Sequence, residues 1–86
     1  MAELSVSVVS ADAEVWTGPA RQIIARTTEG EIGILPGHEP ILAILAKGEV
    51  RVTTPDGGSV TANAEDGFLS VSQDVVTIVA GNAELV

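Results

Sequence analysis

Short runs in which apolar and polar residues alternate, cut every few positions by glycine, proline or acidic pairs, set the reading of this chain. Leu4, Val6 and Val8 alternate with Ser5 and Ser7, a period of two that lays one face of a strand on a core and leaves the other in water. The same signal returns at Ala13 to Thr17, stopped by Gly18-Pro19. It returns again over residues 20–28, with Ile23, Ile24, Ala25 and Thr27, and from Glu31 to Leu35, ended by Pro36-Gly37. After a turn at Lys47-Gly48, Val50, Val52 and Thr54 alternate. Pro55-Asp56-Gly57-Gly58 is the strongest hairpin signal, since Asp-Gly supplies two residues that tolerate positive φ. Val60, Ala62 and Ala64 lead back, and Glu65-Asp66-Gly67 turns into Phe68, Leu69 and Val71. Gln73-Asp74 turns into Val75, Val76, Ile78 and Val79, and Gly81-Asn82 leads to a last short strand, Ala83 to Val86.

The nearly continuous apolar run from Pro40 to Ala46 admits a helix opened by Pro40, but seven residues suit a buried strand better, and a strand is expected. Ten strands at short turn intervals predict an all-β domain, a ten-stranded β-sandwich or flattened barrel over residues 1–86. Neither an internal linker, a low-complexity tract nor a repeat interrupts it.

Composition agrees and narrows the function classes. Twelve Val, seven Ile and seven Thr among 86 residues favour strands. The apolar share, 45%, is too high for a disordered chain. A net charge of −8 repels nucleic acid and anionic lipid, and Trp16 and Phe68, the two aromatic residues, make no stacking platform for bases. Without cysteine there is no disulfide, thiolate zinc site or thiol nucleophile, and one histidine makes no multi-histidine metal centre. The first residues, MAELSVSVVS, lack the basic and long apolar regions of an export signal, and no apolar run nears the roughly 20 residues of a spanning helix. The expectation is a soluble chain on the cytoplasmic side, with neither cofactor nor metal.

Candidate chemistry concentrates in Glu29-Gly-Glu-Ile-Gly-Ile-Leu-Pro-Gly-His-Glu-Pro40. Its glycines suggest a phosphate cradle, but the Lys-Ser/Thr end of a P-loop is missing and no helix follows. Gly30, Gly33 and Gly37 suit a bulge and tight turns in a sheet. His38 beside Glu39 offers a base, yet no spacing ties Ser10, Ser70 or Ser72 to it as a nucleophile. A contact to a partner is the better reading. Glu29, Glu31 and Glu39 form either a solvated rim or a docking patch for a basic partner. Arg21, Arg26 and Arg51 are dispersed and expected to pair with neighbouring acids, and Trp16 reads as a core plug or an interface anchor. Lys47 invites comparison with lipoyl and biotinyl carrier domains, but its flanks, Ala46 and Gly48, are not those of a carrier.

The block Gly30-Glu-Ile-Gly-Ile-Leu-Pro-Gly-His38-Glu-Pro40-Ile-Leu42 resembles the mark of the epsilon subunits of F-type ATP synthases. Val8-Val-Ser-Ala-Asp12, Trp16-Thr-Gly18, Gly67-Phe-Leu-Ser-Val71 and Val76-Thr-Ile-Val79 are similar to that family's pattern in register over all 86 residues. The resemblance implies a ten-stranded β-sandwich in the central stalk, a non-catalytic rotor element that packs on the gamma subunit and sits on the polar loops of the c-ring. Carried over by position, it implies a c-ring contact at Glu29, Glu31 and Gly33, and a gamma contact at Ser10, His38, Ile41, Leu42 and Ala43. It also implies a peripheral place on the cytoplasmic face of a bacterial membrane, without lipid insertion, and a part in coupling proton translocation to ATP synthesis. The family's carboxy-terminal helical hairpin does not follow before Val86, so inhibition and ATP sensing are not carried over. The alternative is a stand-alone acidic β-domain serving as a ligand-binding or carrier module; a small hydrolase built on His38 comes third.

Overall fold

In the computed structural model, residues 3–11 and 13–86 are described, and all regular structure among them is strand. The chain runs β1 (Leu4–Ser10), β2 (Glu14–Ala20), β3 (Gln22–Thr27), β4 (Gly30–Ile34), β5 (Ile41–Ile44), β6 (Gly48–Thr53), β7 (Ser59–Ser72) and β8 (Val75–Leu85). The ladder order is β2-β1-β8-β7-β6-β3-β4, with β5 added along β7. All neighbours are antiparallel except β1 and β8, which run parallel.

The ten expected segments are present on eight continuous strands, because two expected turns do not reverse the chain. β7 has 14 residues; at about 3.3 Å per residue it would extend about 43 Å, whereas the molecule measures 33 × 23 × 19 Å. It therefore bends, and β8 bends with it. The register is the same on both sides of the bend, with Glu65 opposite Asn82 and Gly67 opposite Ala80. Asp66 takes a φ of 59° at the corner. At Gly67 the two backbones approach so closely that a Cβ would overlap the Val79 carbonyl oxygen and the Ala80 Cα, leaving room for glycine alone.

This bent ribbon belongs to two sheets. The first contains β2, β1, residues 75–80 of β8, residues 67–72 of β7, and β5. The second contains residues 82–85 of β8, residues 59–64 of β7, β6, β3 and β4. Strands that switch sheets through a bend make the corners of a sandwich. Inward side chains of both sheets meet in one core: Leu4, Val6, Val8, Leu69, Val71, Val76 and Ile78 from the first, Ile23, Ala25, Ile34, Val50, Val52 and Ala64 from the second. Edges β2 and β4 do not pair with each other, so the flattened barrel expected as one form of the fold is an open, folded-over sheet.

Three local expectations are corrected. Gly18-Pro19 does not stop the second strand, which runs on to Ala20. β2 lies at the edge of the sheet, where a proline sacrifices no ladder bond. The hairpin at Pro55 is a longer loop in which Gly57 takes positive φ, 90°, and Asp56 does not; Thr54 N–H bonds the Gly58 carbonyl at 2.9 Å and closes it. The run from Pro40 to Ala46 is a strand only over Ile41–Ile44, and it is half-buried rather than buried.

Candidate functional site

Alternation decides what the two outer faces of the sandwich present. On the first sheet, inside its edge strand β2, the residues between the buried ones are Ser5, Ser7 and Val9 on β1, Leu42 and Ile44 on β5, Phe68, Ser70 and Ser72 on β7, and Val75, Thr77 and Val79 on β8. None of these is charged; Glu14, exposed at the start of β2 and paired with Val9, brings a charge to the margin of the face. The register lines them up in rows: Ile44, Phe68, Val79 and Val9 in one, Leu42, Ser70, Thr77 and Ser7 in the next. Leu42 is 70% exposed, Ile44 58%, Val75 50% and Phe68 38%. Large apolar side chains standing in water beside small hydroxyls, on a chain of net charge −8, mark a contact surface.

The outer face of the second sheet is the opposite. Arg26 on β3, Glu31 on β4, Glu49 and Arg51 on β6, Glu65 on β7 and Glu84 on β8 occupy its outward positions. Among the described residues the ion pairs are Arg51–Glu49 at 3.5 Å and Lys47–Glu65 at 4.0 Å, so of the arginines expected to pair with acids, Arg51 does. Glu31 faces Arg26 across the β3–β4 ladder, while the aliphatic stem of Arg26 packs over Gly48. A shallow cleft of about 290 Å³, lined by Lys47, Asn63, Glu65, Asn82 and Glu84, lies by the corner.

The structure separates the residues singled out from the sequence. Of the block after Pro40, Leu42 points outward; Ile41 and Ala43 are its half-buried inward neighbours. His38 lies in the loop before β5, its Nδ1 2.7 Å from the Glu39 carbonyl, a spacing at which Nδ1 donates. Ser10 stands at the other end of the sheet, in register with Ala80. Its N–H bonds the Ala13 carbonyl at 2.8 Å, and its hydroxyl accepts from Ala13 N–H at 3.3 Å. Ser10 and His38 therefore flank the uncharged face from opposite ends, with Leu42 between.

Glu29 sits at the tip of the β3–β4 hairpin, and Glu31 and Gly33 follow on the outward side of edge strand β4. Thr27, the buried polar residue at the hairpin base, donates its hydroxyl to the Gly30 carbonyl at 2.8 Å and accepts Glu29 N–H at 3.2 Å. The tip bonds across to β5 through Thr28 N–H and the Ile44 carbonyl, 3.0 Å. Gly30 and Gly37 take φ of 116° and 87°, the turn role expected of them; Gly33 keeps an ordinary φ with open space where a Cβ would be. Trp16 is partly buried against the core from edge strand β2, its ring lying over Gly18.

Ile44, Phe68 and Val75 were not picked out from the sequence. The available signal was the partner set: Ser5, Ser7, Ser70, Ser72 and Thr77 fill the polar half of the alternation with small hydroxyls, where a solvent face normally carries charge. Among the described residues no three of His, Asp and Glu gather as metal ligands. At the Pro55 loop the carboxylate of Asp56 is held below the usual range, by the Thr54 hydroxyl first and by Gly58 N–H second, which is turn chemistry.

Residues 3–86 match the model of the ATP synthase, Delta/Epsilon chain, beta-sandwich domain. The chain is 56% identical over 85 residues to the ATP synthase epsilon chain of Micrococcus luteus, covering 99% of this chain and 93% of that one. It is 48% identical over 84 residues to the epsilon chain of Streptomyces coelicolor, covering 98% of this chain and 68% of the relative. Its fold superposes with a TM-score of 0.92 on a chain of the Euglena gracilis mitochondrial ATP synthase, solved as OSCP, F1 and c-ring; the two are 30% identical, and the match covers 99% of this chain and 54% of that one.

Proposed function

The chain belongs to the family of ATP synthase epsilon chains, and from that premise we propose that it works as a rotor element of the central stalk, docking the gamma subunit onto the c-ring. The observation that carries this reading is the outer face of the first sheet, uncharged across β1, β8, β7 and β5. Leu42, Ile44 and Phe68 stand exposed there, while the charges of this acidic chain lie on the second sheet, at the turns and, as Glu14, at the start of edge strand β2. Such a face is costly in water and gains on association. In this reading gamma takes the face around Leu42, with Ser10 and His38 at its two ends and Ile41 and Ala43 supporting β5 from beneath.

The c-ring contact is assigned to the β3–β4 hairpin, through Glu29, Glu31 and Gly33. Exposed carboxylates there provide steering and register rather than bulk affinity, and salt weakens them. Thr27 fixes the hairpin by two bonds, so the charges are presented on a stiff tip. The role is mechanical: this chain turns with the rotor and couples proton translocation to ATP synthesis without catalysing either step. It acts over its whole length as one unit, peripheral at the cytoplasmic face of a bacterial membrane. No helix of the described residues is long and apolar enough to cross a membrane.

Single cysteines test the orientation cleanly, since the sequence contains none. Placed at position 31 in the assembled complex, a cysteine is expected to crosslink to the c-ring; placed at position 38, to gamma. Crosslinking of both positions to gamma, or of neither to the rotor, overturns the assignment.

A further inference from the structure

The β7–β8 turn is built against its own local preference. Ser72 pairs with Val75, which leaves a two-residue loop, Gln73-Asp74, with φ of 50° and 63°. Two-residue loops with both central φ positive are the natural place of Asn-Gly or Asp-Gly, because side chains with a Cβ are disfavoured there. Here neither residue is glycine. A conformation of this kind persists where surrounding contacts hold it, and Asp74 makes two. Its carbonyl accepts Ser5 N–H at 2.8 Å. Its carboxylate Oδ1 accepts Gly37 N–H at 2.7 Å, across 37 residues of sequence.

The second bond reaches the loop between β4 and β5. Within that loop His38 N–H bonds the Leu35 carbonyl at 3.1 Å and the His38 ring bonds the Glu39 carbonyl; both are local. Among the described residues, the Asp74 carboxylate makes the hydrogen bond that ties the loop to another element. We infer that Asp74 is a positioning residue: its carboxylate latches the Pro36–Pro40 loop to the β7–β8 turn and so fixes where His38 and the start of β5 stand at the edge of the uncharged face. This rests on the docking reading above and deepens it. The side chain explains the sequence of the turn. Glycine at position 74 suits the backbone and cannot latch. Asparagine suits the backbone nearly as well and keeps an acceptor, though an uncharged one.

Asp74→Gly and Asp74→Asn separate positioning from stability. Three quantities are measured on the intact chain: thermal midpoint, amide hydrogen exchange at Gly37, and affinity for F1 depleted of its epsilon subunit. Asp74→Gly is expected to keep or raise the midpoint, since it relieves the turn, while Gly37 exchanges about tenfold faster. Its affinity is expected to fall about three- to tenfold, the factor that one hydrogen bond typically represents. Asp74→Asn is expected between wild type and Asp74→Gly in both exchange and affinity. Unchanged Gly37 exchange in Asp74→Gly overturns the latch, and unchanged affinity overturns its positioning role. If the wild-type chain fails to bind F1 while Gly37 exchange still responds to Asp74, the docking reading falls and the latch stands.

Discussion

Replacing Leu42 tests the docking face with little disturbance to the fold. Leu42 is 70% exposed, so roughly a third of its surface packs on the chain itself and the remainder stands in water. Fully burying a leucine side chain is worth about 1.5–3 kcal/mol; the exposed share then contributes about 1–2 kcal/mol on docking. Leu42→Ala should therefore weaken binding about five- to thirtyfold. In the free chain only the packed third is lost, about 0.5–1 kcal/mol, which lowers the melting temperature by a few degrees. Leu42→Asp places a carboxylate in the middle of the contact, where desolvation without a partner adds to the loss, and binding should fall beyond detection. Titration of each variant into epsilon-depleted F1, with a thermal melt beside it, separates affinity from stability. Binding of Leu42→Asp within twofold of wild type refutes the reasoning, because no contact centred on β5 tolerates that charge.

Two further substitutions test the architecture and its turn chemistry. Gly67→Ala drives a methyl into the Val79–Ala80 backbone at the corner and should cost about 3 kcal/mol or more, a drop of about 12 °C or more in melting temperature; Gly33→Ala, which meets nothing within 4 Å, should stay within about 0.5 kcal/mol, and a loss under about 4 °C for Gly67→Ala contradicts the close approach. Asp56 has a lowered pKa in the fold, from an ordinary value of 3.8, so its carboxylate stabilises the fold above that value and ceases to as the pH falls through the lowered one. The melting-temperature gap between wild type and Asp56→Ala should be constant from neutral pH down to about 4 and close below it; a gap that widens in acid contradicts the sign.

The sequence was legible where side-chain period alone decides structure. The strand segments follow from alternation, apart from the one after Pro40, which follows from the length of its apolar run, and their ends fall within a few residues of those observed. What alternation does not carry is whether the chain reverses or merely bends between two segments. Glu65-Asp66-Gly67 and Gln73-Asp74 both read as turns, yet the first is a corner inside β7 and the second a reversal. The difference lies in the partner strand: β8 bends in step with β7, a non-local fact. Gly18-Pro19 reads as a stop because proline costs a ladder bond, and the cost vanishes at an edge whose position only the assembled sheet reveals. The site was half legible. The block from Gly30 to Leu42 located the β3–β4 hairpin and β5, but apolar composition suggested that residues 40–46 are buried. Leu42 and Ile44 are outward because β5 adds to the edge of β7 with Ile41 and Ala43 towards the core. Phe68 joins them only through the β5–β7 register, which no local pattern contains.

Hydroxyl-radical footprinting of this chain, free and bound to epsilon-depleted F1, shows which face of the sandwich gamma covers, since it reads side-chain exposure on both faces in one experiment. Leu42, Ile44, Phe68 and Val75 are expected to lose reactivity on binding while Ile24 and Arg51, on the charged face, keep theirs. Protection of Ile24 and Arg51 with Leu42 and Phe68 still reactive would contradict this expectation, and would put gamma on the other side of the sandwich.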